Sequence, residues 1–283
     1  MRKVIINADD FGLCSSVNAA IVACYQAGNL TSTTCMVNMP GTVEAAQLAA
    51  ANPGLAIGLH FCLTEGKPLT SSPSLTAANG EFYDRGTLMR RIVRGQVKTQ
   101  EIAAEFAAQL AKLRSLGIAP THTDSHQHTH MNPFVFRAIL PHIRQQKLPV
   151  RLATPPQLST SLLFTRPARY AKQWVLQQMS NLFRKQLSVA TNDCLVSVHQ
   201  LPAAVVPTAD TFRQLVATAP DDCVVELMVH PYIMGPDVAA LYPHDAAARE
   251  PFFAKCVQEF EVLRQVPVFK DDAQVQLTTF QSY

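Results

Sequence analysis

Short apolar runs alternate along the chain with longer stretches whose apolar residues recur at helical spacing. The run "KVIINA" predicts a strand, and "SSVNAAIVACYQAG" a helix opening on a Ser cap and stopping near Gly28. "TSTTCMVN" reads as a second strand, "GTVEAAQLAAANPG" as a helix closed by Asn-Pro-Gly, and "LAIGLHF" as a third strand. Residues 66–84 form a loop rich in Ser, Pro and Gly, longer than ordinary connections and of a kind that often carries function. Helices follow over 86–96 and 99–116. "PTHTDS" starts the next strand, "PFVFRAILPHIRQQ" returns as a helix, and "PVRLA" is a further strand candidate. The segment 161–187 is helical in pattern, "CVVELMVHP" is a buried strand, and 244–264 the final helix. Strands alternating with helices of this length predict βαβ units and a mostly parallel α/β sheet, open or closed into a barrel. No linker-like break or internal repeat interrupts the pattern, so residues 1–283 read as one domain.

Composition fits that picture. The 283 residues are 48% hydrophobic and 16% charged with mean hydropathy +0.06, enough for a sizeable core. A net charge of +3 without a block of like charges speaks against a nucleic-acid arm or a polybasic membrane patch. No stretch approaches the ~20 apolar residues of a membrane span, so neither nucleic acid nor membrane is an expected partner. Arg85, Arg90, Arg91, Arg94 and Lys98 read as a solvated helix face. The seven cysteines are scattered without a C-x-x-C pair, as buried free thiols of a reducing compartment are. The apolar run of "MRKVIINADDFG" is too short for a signal-peptide core, which makes the cytoplasm the expected location. In 161–187, Leu162, Leu163, Phe164, Trp174, Leu176, Met179, Leu182 and Phe183 suit a homodimer surface, a lid or ordinary core packing.

Candidate chemistry collects where strands end. Asp9 and Asp10 close the first strand, His60 the third, a histidine run the next, and His230 the strand "CVVELMV". In parallel α/β barrels and sheets that edge is where sites are assembled. Adjacent carboxylates in a semi-buried site raise each other's pKa unless a cation intervenes, and a metal held by one Asp would leave the other free as a base. Helix capping is the plainer role for this pair, but Ser15 and Ser16 are better placed for it. His60 by itself reads as a hydrogen-bonded core residue; its place at the same rim favours a ligand. His230, fixed in direction by the Pro after it, is the natural general acid or base.

In "THTDSHQHTHMNP", His122, Asp124, His126, His128 and His130 fall on strict alternation and would share one face of an extended chain. Same-face neighbours lie ~6.5–7 Å apart and metal–nitrogen bonds are ~2.1 Å, so at most two of the five can ligate one ion. The others would support ligands, contact substrate or lead into the next helix. His122 and His142 read as structural.

The segments "VIINADDFGL", "LTSTTCMVN", "LAIGLHFCLTEGKPLT", "PTHTDSHQHTHM" and "ELMVHP" occur in the order and at about the spacing found in YdjC-like carbohydrate deacetylases. Over the first ~150 residues the chain most resembles chitooligosaccharide deacetylases of the ChbG type; the likeness weakens through 155–220 and returns at the His-Pro strand. The resemblance implies a distorted (β/α) barrel of mostly parallel strands, related to polysaccharide deacetylases of the NodB type. It implies one divalent metal, magnesium or zinc, on Asp10, His60 and His126, with Asp9 as general base and His230 as catalytic acid. Arg151 would orient Asp9 or contact substrate, and Asp124 and His128 would support ligands or contact substrate. The implied reaction removes an N-acetyl group from an acetylated amino sugar, a short chitooligosaccharide such as diacetylchitobiose or its phosphate. The segment "ATNDCLVSVHQLP" stands where the family is more aromatic. Two alternatives are a metal-dependent phosphoesterase, which would bridge two or three metals, and a non-catalytic metal- or sugar-binding module.

Overall fold

The computed structural model describes residues 1–156, 164–202, 204–242, 246–265 and 267–282, with Ala246 and Ala247 as backbone only. Strand β1 (Arg2–Phe11) is central, and β2 (Ser32–Cys35), β3 (Ala56–Phe61) and β4 (Thr123–Ser125) follow outward on one side. On the other side lie β6 (Val224–Val229) and then β5 (Cys194–Val196), and every pairing among these strands is parallel. The segment around Val150 closes the ring through single bridges to Thr123, the first residue of β4, and to Thr191, just before β5. The predicted "PVRLA" strand is thus one stave of a distorted parallel barrel. Strand β7 (Val275–Leu277) pairs with the start of β1, below the point where β2 joins it.

Helices α1 (Ser15–Gln26), α2 (Thr42–Ala51), α4 (Thr99–Ser115), α5 (Pro133–Gln146) and α9 (Ala246–Leu263) stand close to the predicted bounds, as does α3 (Arg85–Val93). Helix α6 (Pro167–Arg184) is shorter than 161–187, and Leu162 and Leu163 lie outside the described residues. Strands β5 and β7 and helices α7 (Ala209–Ala217) and α8 (Pro236–Leu241) were not anticipated. They are too short to show a period of their own.

Two local expectations fail. Helix α1 takes no side-chain cap from its own serines: its cap position is Cys14, and Asp237 of α8 caps it from outside, accepting from Ser16 N at 2.8 Å and Ser16 Oγ at 2.5 Å. The extended run expected through the histidines stops at Ser125, and residues 126–131 form a 3₁₀ turn with Gln127 and His128 both at φ 53°. Alternation therefore does not align the five candidates on one face.

The barrel interior is layered. Ile5, Val224 and Phe280 cluster at the lower end, and the buried His122 ring stacks on Phe280 with centroids 4.4 Å apart. Gly58 makes room for His122, since a Cβ there would lie 2.7 Å from the ring. Above this plug the inward residues of β1, β2 and β6 turn polar: Asn7, Asp9, Ser32, Thr34 and Glu226. The six buried cysteines and half-buried Cys223 are all free thiols.

Candidate metal centre and active site

Two adjacent residues of a regular strand face opposite ways. A shift of register between Ala8 and Phe11 breaks that rule, and Asp10 adopts φ 70°, a conformation costly for a residue with a Cβ. As a result Asp9 turns into the barrel while Asp10 reaches the rim.

Asp10 Oδ1 lies 3.2 Å from His60 Nε2 and 3.0 Å from His126 Nδ1, and Tyr232 donates its hydroxyl to Asp10 Oδ2 at 2.6 Å. The remaining ring nitrogen of His60 faces Asp124 Oδ1 at 2.7 Å, so the carboxylate fixes the ring with Nε2 outward. Thr34 donates to Asp124 Oδ2 at 3.1 Å. One oxygen and two imidazole nitrogens converging at these distances fit a single divalent cation with bonds of ~2.1 Å. Burial alone would raise the Asp10 pKa, but the charge and hydrogen bonds of His126 and His60 hold it well below the ordinary carboxylate range.

Asp9 sits one layer down. Arg151, fully buried, grips it with two bonds of 2.7 Å, and Asn7 donates to the same carboxylate at 2.9 Å. Arg151 also pairs with Glu226 at 2.7 Å and with Asp124. Burial would push Asp9 up in pKa; Arg151 outweighs it and leaves the carboxyl below its usual value. Glu226, with Oε2 unpartnered, goes the other way: burial lifts it to about 7 despite Arg151.

His230 completes the rim, with Nε2 3.8 Å from Asp9 Oδ2. Burial lowers its pKa from the ordinary value and Asp9 only partly restores it. Its backbone N–H donates to Glu259 Oε2 at 2.8 Å, and that oxygen also faces His199 Nε2 at 3.2 Å. Asp9, Asp10, His60, His126 and His230 all line one cavity of ≈ 320 Å³, walled further by Tyr232, Tyr242, Arg249 and Phe252. His128 lines it too, its ring held neutral by burial with a pKa of about 3.

The other polar candidates are structural in their contacts. His130 Nδ1 meets Ser125 Oγ at 2.5 Å and Nε2 meets the Arg151 carbonyl at 2.9 Å, tying the turn to the next stave. His122 bonds Thr121 and Asn7, and His142 lies beside Phe106. Loop 66–84 is anchored from α4, where Glu105 accepts from Leu69 N and Thr70 N at 2.9 Å each. Two further groups among the described residues offer metal-type donors. In Asp9–His60–Asp124, the Arg151 guanidinium already bridges the two carboxylates; in His199–His230–Glu259, the carboxylate already holds both histidines.

Sequence reasoning passed over Tyr232, Glu226, Thr34, His199 and Glu259. A lone carboxylate inside the apolar run "CVVELMV" was a readable signal for Glu226, since Glu is almost never fully buried unpaired. Nothing in the sequence pointed to His199 or Glu259.

The profile of the family described as "YdjC-like protein" matches residues 3–271. Among curated proteins, a "Carbohydrate deacetylase" of Geobacillus stearothermophilus is 43% identical over 166 residues, 58% of this chain and 66% of the relative. A "Chitooligosaccharide deacetylase" of Yersinia pestis (strain Pestoides F) is 42% identical over 152 residues, 53% of this chain and 59% of the relative. The matched stretches thus span less than two thirds of these relatives' length. A solved structure from Enterococcus faecalis V583, named for cellobiose-phosphate cleavage, superposes with TM-score 0.77 at 24% identity and covers 99% of this chain and 98% of its own. It shares the fold.

Proposed function

The chain belongs to the YdjC-like protein family, and from that premise we propose that it is a metal-dependent hydrolase of acetylated amino sugars. It would remove an N-acetyl group from a short chitooligosaccharide, such as diacetylchitobiose or its phosphate, and release acetate. One observation carries the reading: the three convergent donor atoms, a restrained second carboxylate and an imidazole share a single cavity.

Asp10, His60 and His126 would hold one divalent ion, zinc or magnesium. When bound, the ion would supply Lewis acidity toward the acetamide carbonyl and lower the pKa of water. Asp9 would take the proton of the attacking water, its carboxylate kept ionised and aimed by Arg151. His230, neutral near pH 7 because of burial, stands 3.8 Å from Asp9 and would receive that proton and deliver it to the departing nitrogen. The Phe252 ring offers an apolar face to a pyranose. A wider cavity of ≈ 640 Å³ shares His128, His199 and Met228 with the first and carries Arg85, Arg166, Arg169 and Lys172, which favours further sugar units or a phosphate there.

The phosphoesterase alternative needs a second cation among the buried carboxylates, where Arg151 already lies. Metal analysis should return one ion per chain; two or three would favour phosphoester chemistry. Chelation should abolish acetate release from diacetylchitobiose, and a divalent metal should restore it. Asp9→Asn should retain the metal yet lose turnover by about 10²–10⁴-fold, and full activity in that variant would remove Asp9 as the base. A screen of acetylated mono- and disaccharides, with and without phosphate, names the substrate. Metal uptake with no hydrolysis across that screen would leave a binding module.

A further inference from the structure

The outward face of α6 is apolar where a surface helix is ordinarily polar. Phe164, just before the helix, is 84% exposed, and Trp174, Val175 and Leu182 are each 49% exposed. Ala168, Ala171, Val175 and Leu182 recur at helical spacing and form one stripe, broken by the polar Gln178 and with Trp174 beside it. Phe183 and Ser180 make the buried face instead.

Charge supplies the second observation. Between Asp124 and Asp193 the chain has no acidic residue, yet it carries eight of its 24 Lys and Arg there besides the buried Arg151. Arg166, Lys172 and Lys185 are exposed along α6 or at its ends, and none pairs with a carboxylate among the described residues.

We propose that this face of α6 docks on an anionic phospholipid surface. The helix would lie in the plane of the interface, with Trp174, Val175 and Leu182 in the apolar boundary and the cations at headgroup level. No described helix is long and apolar enough to cross a membrane, so the contact is peripheral. A second copy of the chain suits the stripe less well: it would set one cationic, acid-free helix against another. The inference departs from the expectation that no membrane is a partner. The cations are dispersed in the sequence, and the helix gathers them beside an apolar stripe. Arg166 and Lys172 also line the wider cavity, so the docking face adjoins the site proposed for substrate, but its vesicle readouts do not depend on turnover.

Trp174 is the chain's single tryptophan, so its emission reports this face directly. The full chain should sediment with vesicles of phosphatidylglycerol mixed with phosphatidylcholine, with a blue shift of the emission, and should not sediment with phosphatidylcholine alone. Raising the salt until the Debye length falls from ~10 Å to ~3 Å should weaken the binding. Combined Trp174→Gln, Val175→Gln and Leu182→Gln should cut partitioning about tenfold or more while circular dichroism stays unchanged. Combined Lys172→Glu and Lys185→Glu should weaken it as well without disturbing apolar packing. The proposal is overturned by an absence of sedimentation with anionic vesicles, by unchanged emission on binding, or by partitioning that either variant leaves intact. It is equally overturned by a wild-type dimer that the glutamine variant turns into monomer, since a second copy would then cover the stripe.

Discussion

At the scale of single residues, the rim depends on groups that never reach the cavity. Asp124 is fully buried, yet it sets which nitrogen His60 presents beside Asp10. Asp124→Ala should therefore weaken divalent-metal affinity about 10–100-fold by calorimetric titration while leaving all three ligand residues in place. His122 contributes to acid stability, alongside the buried His128 and His130. Burial depresses the His122 pKa to about 3, against 6.5 in a solvated chain. Between those values the unfolded chain binds a proton that the folded one refuses, so stability rises with pH across about 3 to 6.5 and the gain is complete above that window. The slope from this residue approaches roughly 1.4 kcal/mol per pH unit. Urea titrations of His122→Phe, which keeps a ring on Phe280, should show a flatter acid limb; an unchanged limb would shift the effect to other groups such as His130, whose pKa burial also lowers, to about 4.

At the scale of elements, long periodic segments stand where the hydrophobic pattern puts them, as α4, α5 and β6 do. Their faces are repeated often enough to outweigh local noise, so Pro141 inside α5 does not end that helix. Boundaries obey neighbours instead. The cap of α1 comes from Asp237, more than two hundred positions away, and no local motif announces it. Asp237→Ala should lower stability by about 1 kcal/mol in chemical denaturation, although Ser15 and Ser16 remain. A loss within error would mean that the serines cap the helix once freed.

At the scale of the whole molecule, Arg151 is the tie across the barrel, binding Asp9 of β1, Asp124 of β4 and Glu226 of β6. Three buried carboxylates surround this one guanidinium; burial lifts Glu226 to about 7 despite Arg151, and the charges of Asp124 and Asp9 add to the rise. Arg151→Met, which keeps much of the volume, should cost about 3–5 kcal/mol of stability at neutral pH by leaving buried charges unpaired. The loss should shrink toward acid pH as those carboxyls protonate. A loss below 1 kcal/mol would show that the pair contributes little to the fold.

Strand ends were legible from sequence because side-chain alternation and helical spacing are local, and a parallel α/β chain sends its strand ends to one rim. That much makes Asp9, Asp10, His60 and His230 neighbours on sequence grounds alone. The histidine run was legible only as a marker: two left-handed residues, Gln127 and His128, end the strand and leave His126 alone against Asp10. The Asp10 backbone bulge, the Arg151–Glu226 pair and the gathering of cations beside the apolar face of α6 belong to the tertiary structure. Each depends on positions far apart in the chain or on a backbone conformation that residue type alone does not select.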